Sequence, residues 1–231
     1  MISIIIPTYQ HGQALKQCLD SLFAQTYQDF EIIVVNDGST DNTKIVLEHY
    51  KDRIKVINQA NSGSNAARNN GSKSAIGDYL LFCDADIIAD KNMLEEMKHA
   101  LDHDQNASYA YSDFMWGAKI FKLYPFNKGE LYIKNYIHTN SLIRKNCFPG
   151  FDVNIARLQD WDLWLTMLES GYVGTYIPKV LFSVKPRKSG ISGWLPSFVY
   201  KVPWRKFGIK IKRLDSYEKA EKIIKAKHSI T

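Results

Sequence analysis

The first 113 residues alternate short runs rich in β-branched and aromatic residues with stretches of helical periodicity. The runs that predict strands are Ile2–Ile6, Glu31–Asn36, Ile54–Ile57, Tyr79–Cys83 and Ser108–Tyr111. The stretches that predict helices are Gln13–Gln25, Asp41–Tyr50, Ser64–Ala75 and Asn92–Asp102. This order is typical of βαβ units, whose right-handed crossovers bring the carboxyl ends of parallel strands to one edge of a sheet. We therefore predict an α/β fold with a mostly parallel, Rossmann-like sheet flanked by helices, and ligand-binding loops at that edge.

Beyond Phe114 the alternation weakens into aromatic, turn-rich sequence, which we interpret as a smaller second half of the same domain. A helical pattern returns at Gln159–Ser170. Near the end of the chain, Phe207–Ile211 alternates at strand period and Leu214–Lys227 is predicted to be a helix. We expect one domain over residues 1–190, with halves at 1–113 and 114–190, and a separate tail over 191–231.

The net charge of +6 is concentrated in the tail, because residues 194–231 contain ten Lys or Arg and three Asp or Glu. The body of the chain is then close to neutral and has no nucleic-acid-binding motif, so we expect no nucleic acid partner. The three widely spaced cysteines are Cys18, Cys83 and Cys147, and two of them lie in apolar surroundings that suggest buried thiols. Their number and spacing indicate neither a disulfide framework nor a zinc site. The apolar run that ends at Pro7 is too short for a membrane span or a signal peptide, so we expect a cytoplasmic protein.

Polar clusters follow the first and second predicted strands. Pro7-Thr8-Tyr9 follows the first, and Asp37-Gly38-Ser39-Thr40-Asp41 follows the second. The second cluster is compatible with an ordinary turn and helix cap. Taken alone, that is the simpler interpretation. The alternative is ligand binding, because a carboxylate fixed at a strand end can accept hydrogen bonds from a base or a ribose.

A third cluster, residues 61–69, enters a helix and contains one arginine, Arg68. The simpler interpretation is a capped helix with a solvated arginine. The alternative is a binding site, because a helix N-terminus with a guanidinium suits a phosphate or a planar base.

The fourth cluster, Asp84-Ala85-Asp86, follows the apolar run that ends at Cys83. Two carboxylates this close to a buried strand repel each other unless a cation or hydrogen-bond donors neutralise them. Mg²⁺ or Mn²⁺ needs only one or two carboxylate oxygens when water and phosphates complete its shell. The sequence therefore favours a divalent metal site here over two solvated turn acids.

Together the motifs resemble the family 2 glycosyltransferases with the GT-A fold, over about residues 2–190. The resemblance is carried by residues 3–9, 31–41, 61–69, 84–86 and Asp160-Trp161-Asp162-Leu163-Trp164, in the family's order. It implies an inverting transfer of a sugar from a nucleotide diphosphate donor, usually a UDP-sugar, to an acceptor hydroxyl.

The resemblance also implies roles for six residues. Asp37 contacts the base with Thr8 nearby, and Arg68 helps to hold the nucleotide. By the same resemblance, Asp84 binds the ribose, and Asp86 is a ligand of the Mn²⁺ or Mg²⁺ that bridges the diphosphate. Asp160 takes the position of the general base. From the residues alone, Asp160 is equally readable as an N-terminal helix acid, whose carboxylate the helix dipole keeps ionised.

Two positions depart from the family's pattern. Gln159 replaces an acid beside the base, and Lys185 stands where a histidine near the metal is common. Lys185, with Arg187 and Lys188, is either a phosphate-neutralising group or a solvated cation. These departures motivate an alternative function, a nucleotide-sugar-binding partner or regulatory module that has lost transfer. A nucleotidyltransferase is a further rival, although residues 7–13 lack the Gly-rich phosphate loop of such enzymes.

The remaining expectations concern the acceptor and the tail. None of the histidines has metal-ligand spacing, and each is expected on the surface: His11, His49, His99, His103, His138 and His228. Trp116, Tyr124 and Phe126 are either acceptor-binding aromatics or core. Aromatic residues interleaved with Lys and Arg after Trp194 indicate either a peripheral membrane-surface segment, at about 1 kcal/mol per basic residue, or a packed tail. A membrane contact would suit a saccharide or lipid-linked acceptor in surface polysaccharide synthesis.

Overall fold

A computed structural model of the chain describes residues 1–185 and 211–230. Its strands are β1 (Ile2–Thr8), β2 (Phe30–Asp37), β3 (Lys55–Gln59), β4 (Tyr79–Phe82), β5 (Ile87–Ala89), β6 (Ala107–Trp116), β7 (Lys119–Phe121), β8 (Leu142–Arg144) and β9 (Val173–Val184). Its α-helices are α1 (Gly12–Phe23), α2 (Thr43–Tyr50), α3 (Ser64–Lys73), α4 (Met93–His103), α5 (Lys128–Ile133), α6 (Gln159–Glu169) and α7 (Lys212–Lys227).

The strands form one sheet in the order β3-β2-β1-β4-β8-β6-β9-β5, with β7 added to β6. The half built from β3, β2, β1 and β4 is parallel. Beyond β4 the pairing is mixed, since β8 is antiparallel to both β4 and β6 while β6 and β9 are parallel. The predicted α/β fold with a flanked Rossmann-like sheet is thus confirmed, and its parallel part is the amino-terminal half.

Helices cover both faces of the sheet because both faces of β1 are apolar. Ile4 lies in a core cluster with Leu19 of α1, whereas its neighbour Ile5 lies in the cluster on the opposite face. On that second face α3 approaches closely, and a Cβ added at Gly71 would lie 2.5 Å from the Ile5 side chain. The alternation of side chains along a strand explains this division.

The second half of the chain is anchored by two buried tryptophans of α6. The indole N–H of Trp161 donates to the Leu131 carbonyl at 2.6 Å, and that of Trp164 donates to the Ile137 carbonyl at 2.9 Å. Each tryptophan therefore buries a large apolar ring with its polar atom satisfied. These two bonds fix α6 against the segment that precedes β8.

All strands and helices predicted in the first 113 residues are present, with ends shifted by up to five residues. The predicted helix at the end of the chain is confirmed as α7, whereas most of the predicted strand Phe207–Ile211 lies outside the described residues. The sequence missed β5, β7, α5, β8 and β9.

Cys18, Cys83 and Cys147 are buried free thiols, and the Sγ atoms of the first two lie 3.7 Å apart. Among the described residues, no helix has the length and apolar character to cross a membrane.

Candidate active site

The carboxyl ends of β1, β2 and β4 bring three of the predicted residues to one edge of the sheet. Thr8 and Asp37 end β1 and β2, and Asp84 follows β4. Thr8 is buried, and its hydroxyl oxygen lacks a hydrogen-bond partner among the described residues. A buried hydroxyl without a partner is costly, so this atom is a candidate contact for a bound ligand.

The Asp37 carboxylate organises the loop between β3 and α3. Its two oxygens accept hydrogen bonds from the backbone N–H of Ser62 at 2.8 Å, the N–H of Gly63 at 2.9 Å and the Gln59 amide at 2.8 Å. Gly63 has φ +87° and Gly38 has φ +78°, conformations that favour glycine. A carboxylate offers about four acceptor positions, so about one remains for a ligand.

Arg68 and Asp84 form a close ion pair at the centre of this edge. The Nη2 atom of Arg68 lies 2.6 Å from Oδ1 of Asp84, with side-chain exposures of 2% and 33%. Arg68 also donates to Asn65 Oδ1 at 3.2 Å and lies over the Phe151 ring at 5.2 Å. Burial raises the pKa of Asp84, but the guanidinium outweighs this and the pKa lies below its ordinary value. Asp84 is therefore an ionised carboxylate at neutral pH.

Asp86 lies in the half-buried turn between β4 and β5. The turn is held by β9, because Lys185 N donates to the Asp86 carbonyl at 3.2 Å and Ile87 pairs with Val184. The Lys185 ammonium itself donates to Gln17 at 2.6 Å. Arg187 and Lys188 lie outside the described residues, so the phosphate-neutralising role of these three cations stays a prediction.

Asp160 lies in the first turn of α6. Its Oδ1 accepts from the backbone N–H of Trp161 at 3.0 Å, and the helix begins after Leu158, which has φ 57°. A left-handed conformation at a non-glycine residue is sparsely populated and clusters at functional sites. The positive end of the α6 dipole lies on the side of this residue.

His138 is influenced electrostatically by both Asp84 and Asp160. The sequence analysis did not identify it as a site residue. Burial lowers the pKa of His138, and Arg68 also lowers it; the nearby carboxylates of Asp84 and Asp160 act in the opposite direction without overcoming burial. Its Nδ1 accepts from the Asn140 N–H at 3.0 Å, so the neutral ring carries its proton on Nε2. His138 is partly exposed, so it lies at the edge of the surface rather than fully in solvent.

The His138 ring is held by aromatic neighbours from two strands. It lies 5.1 Å from the Phe114 ring of β6 and 5.0 Å from the Phe182 ring of β9. No sequence signal marked it, because it lies in an irregular segment and its neighbours come from distant parts of the chain. The expected surface position was wrong for His228, which is 6% exposed.

The donor atoms at this edge are those that Mg²⁺ and Mn²⁺ prefer, since Asp84 and Asp86 offer hard carboxylate oxygens. Within residues 1–185 and 211–230, no group of three or more His, Cys, Asp or Glu is arranged to hold a metal ion. The pair fits a metal of the kind that takes few protein ligands and completes its shell with water and phosphate oxygens. It does not fit a closed structural site.

The aromatic residues that the sequence left between two interpretations are partly buried. Trp116 packs against the core cluster that contains Ile4, and Tyr124 and Phe126 pack against the opposite cluster. Tyr124 stacks on Tyr136 with ring centroids 4.5 Å apart. Their packing accounts for the core role, and their exposed portions leave the acceptor role a prediction.

A surface cavity of about 660 Å³ lies beside the Asp37 loop, between β3 and α2. Its lining includes Gly38, Lys44 and Gln59 but none of the carboxylates Asp84, Asp86 and Asp160. The charged cluster rather than this cavity therefore defines the candidate site.

Taken together, the observations define an α/β protein with a cluster of polar and charged side chains at the carboxyl edge of its parallel strands, the edge where α/β proteins of this kind bind ligands. The chain belongs to glycosyl transferase family 2, whose family model matches residues 3–158. It is 38% identical over 117 residues to the uncharacterized glycosyltransferase YibD of Escherichia coli (strain K12), covering 49% of this chain and 34% of that relative. It is 31% identical over 187 residues to an uncharacterized glycosyltransferase of Rickettsia typhi, covering 73% of this chain and 58% of the relative. The chain thus spans between a third and three fifths of the length of these two relatives.

Solved structures show the same fold at low sequence identity. The chain superposes on Staphylococcus aureus TarS 1-349 in complex with UDP with a TM-score of 0.70 and 20% identity, covering 80% of this chain and 60% of that TarS fragment. It superposes on a mannosyltransferase from Pyrobaculum calidifontis, in complex with GDP-Man and Mn²⁺, with a TM-score of 0.65 and 17% identity, covering 82% and 58%. The GT-A fold predicted from the motifs is confirmed.

Proposed function

We propose that this protein is an inverting, metal-dependent glycosyltransferase. It transfers a sugar from a nucleotide diphosphate donor, preferably a UDP-sugar, to a hydroxyl of a saccharide or lipid-linked acceptor. The observation that carries the proposal is the Arg68–Asp84 ion pair at the carboxyl edge of the parallel strands, where Thr8 and Asp37 end the neighbouring strands. Family membership supports the reaction class.

On the donor side, each proposed contact uses an atom with hydrogen-bonding capacity left over. The Thr8 hydroxyl and the remaining acceptor position of Asp37 are assigned to the nucleoside. Asp84, with Oδ1 held by Arg68, keeps Oδ2 for a ribose hydroxyl. The guanidinium fixes the carboxylate, because it is itself held by Asn65 and by the Phe151 ring.

Asp86 is the residue proposed to hold Mn²⁺ or Mg²⁺. When bound, such an ion would help to stabilise the negative charge that develops on a departing nucleoside diphosphate. The protein's contribution is to fix Asp86 in a turn that β9 closes at Lys185. The Pyrobaculum calidifontis neighbour was solved with GDP-Man and Mn²⁺, and this agrees with the assignment.

On the acceptor side, Asp160 is proposed to take the proton from the attacking hydroxyl. A single general base and an in-line attack invert the configuration at the anomeric carbon in one displacement. The carboxylates of Asp84 and Asp160 both act electrostatically on His138, and its Nε2–H is proposed to donate to a sugar hydroxyl or a phosphate oxygen. A neutral imidazole suits this contact because it donates without adding charge.

For the sugar and the acceptor, the proposal names only a chemical class. Solved neighbours include TarS in complex with UDP-GlcNAc and the mannosyltransferase with GDP-Man, so a hexosyl or N-acetylhexosaminyl group is expected. We propose surface polysaccharide or glycolipid assembly as the setting, with residues 1–190 as the transferase domain. The tail over 191–231 is proposed to meet the inner face of a membrane, although residues 186–210 lie outside the described chain.

The test is a screen of nucleotide sugars with Mn²⁺, read by thermal shift and by nucleotide release, followed by two variants. Asp160→Asn should bind the donor with unchanged affinity and lose transfer, because binding and deprotonation use different groups. Asp86→Ala should lose the Mn²⁺-dependent part of donor affinity. Full transfer by Asp160→Asn would remove that residue from the mechanism. Donor binding without transfer in the wild-type protein would favour the non-catalytic binding partner instead.

A further inference from the structure

The last turn of α7 carries a lysine that joins two carboxylates from different parts of the fold. The Lys227 ammonium lies 2.8 Å from Asp162 Oδ1 and 2.9 Å from Asp152 Oδ2. Asp162 belongs to α6, whereas Asp152 lies in the loop that precedes this helix. One side chain from the end of the chain therefore ties together two segments that lie on either side of Leu158.

His228, the next residue, is held between two carboxylates of α6. Its Nε2 lies 2.9 Å from Asp162 Oδ1 and its Nδ1 lies 2.8 Å from Glu169 Oε1. Both ring nitrogens therefore face acceptors, which requires the doubly protonated imidazolium. The side chains of His228 and Asp162 are only 1% and 4% exposed. Burial lowers the pKa of His228, but the two carboxylates outweigh this and raise the pKa above its ordinary value.

The Asp152 loop leads from this cluster to the donor side of the site. Its backbone carbonyls at Asp152 and Ile155 accept from Asn65 Nδ2 at 2.8 and 2.9 Å. The same asparagine accepts from Arg68 through Oδ1, and Arg68 pairs with Asp84. A continuous series of contacts thus joins Lys227 to the donor-side ion pair.

Asp162 lies close in sequence to the proposed base, Asp160. Asp162 lies two residues after Asp160 in the first turn of α6, and its backbone N–H donates to the Leu158 carbonyl at 3.1 Å. The left-handed Leu158 joins this turn to the preceding loop. The orientation of the first turn of α6 is therefore fixed where Lys227 and His228 bind it.

We propose that the end of α7 is a brace that sets the position of Asp160 relative to the Arg68–Asp84 pair, with Lys227 and His228 as positioning residues. The inference rests on the proposed function, because it concerns the base and the donor site of that reaction. Misplacement of reacting groups by about 1 Å can cost about 100-fold in rate. Loss of a brace outside the reacting centre should therefore lower kcat more than donor affinity.

The test compares Lys227→Met with Lys225→Met. Lys225 lies on the same helix with a similar exposure, 37% against 35%, and pairs with Glu221 at 3.0 Å, a residue of its own helix. Lys227→Met should lower kcat by about tenfold with donor Kd within about twofold, measured well below the Tm of each variant. Lys225→Met should leave both unchanged, and Lys227→Arg should restore most of kcat because it keeps the charge.

A second variant and a second measurement keep the test decisive if Lys227→Met folds poorly. Asp152→Asn removes the carboxylate that pairs with Lys227 but keeps an oxygen that can accept from Asn154. This variant should also lower kcat. Hydrogen exchange of residues 150–165 should be faster in Lys227→Met than in Lys225→Met, with or without a known donor. Unchanged exchange there, or equal kcat in the two lysine variants, would overturn the brace. Absence of transfer in the wild-type protein, with the exchange difference present, would instead count against the proposed function.

Discussion

Replacing Arg68 by methionine tests the central ion pair of the site directly. Arg68 is 2% exposed and Asp84 is 33% exposed, so the substitution leaves a partly buried carboxylate without its partner. Breaking a buried pair costs about 3–5 kcal/mol, and the exposure of Asp84 reduces this to about 2–3 kcal/mol. At about 2–4 °C per kcal/mol for a chain of this size, the Tm should fall by about 5–10 °C.

The measurement is urea unfolding of Arg68→Met, Asp84→Asn and the double variant. Because Asp84→Asn removes the unpaired charge, the double variant should be less destabilised than the sum of the single variants. The pKa of Asp84 is lowered in the folded state. The pair therefore stabilises above the unfolded pKa of about 3.9 and loses this contribution as the pH falls through the lower folded pKa. Because Arg68→Met also loses its contacts with Asn65 and Phe151, a smaller gap from wild type should remain at low pH. Additive losses, or a gap that does not shrink as the pH falls, would refute the reasoning.

Arg53→Met is the control for losing an arginine as such. Arg53 is exposed and lies over the Phe23 ring at 3.5 Å. Its loss should cost about 0.5–1 kcal/mol, the usual contribution of an exposed cation–π contact. A comparable loss in Arg68→Met would mean that the ion pair adds nothing.

Three further outcomes are expected. His138→Gln should retain more transfer than His138→Ala, because glutamine keeps a donor; steady-state kinetics check this, and equal losses would contradict a donor role. His228 has a raised pKa, so its ion pairs should stabilise the protein fully below the unfolded pKa of about 6.5 and lose that contribution as the pH rises through the higher folded pKa; urea unfolding between pH 5.5 and 9 should show a slope that His228→Gln lacks. Gly38→Ala should cost about 1 kcal/mol because φ is +78° there, and a thermal melt with no change would argue against strain at this turn.

The amino-terminal half was predictable because its elements carry their own patterns. Strands β1, β2 and β4 contain continuous apolar runs, and helical periods directly follow β1, β2 and β3, so local sequence specifies most of the local structure. Because βαβ crossovers are right-handed, the carboxyl ends of the parallel strands lie at one edge of the sheet. This rule places Thr8, Asp37 and Asp84 at the same edge, as the structure does. What the sequence left out was their partners, since the three hydrogen bonds to Asp37 come from residues with no distinctive motif.

The second half resisted prediction for physical reasons. The strands β5, β7 and β8 have three residues each, too few for a period to be recognised. Strand β9 contains Pro178, which normally argues against a strand. In the structure the register jumps from Ser112–Ile177 to Asp113–Val180, so the proline lies in a bulge and needs no ladder hydrogen bond.

Asp160 depends on this second half, and the family match does not reach it. The matched region ends at residue 158, so family membership supports the donor-side motifs more directly than the general base. The base assignment rests on α6, which the Trp164 indole holds against Ile137, the residue before His138. Asp160 and His138 are therefore positioned by the same contact. Transfer activity should therefore depend on the packing around α6 as well as on the Asp160 carboxylate. Loss of transfer in Asp160→Asn would support the general base directly, which family membership alone does not do.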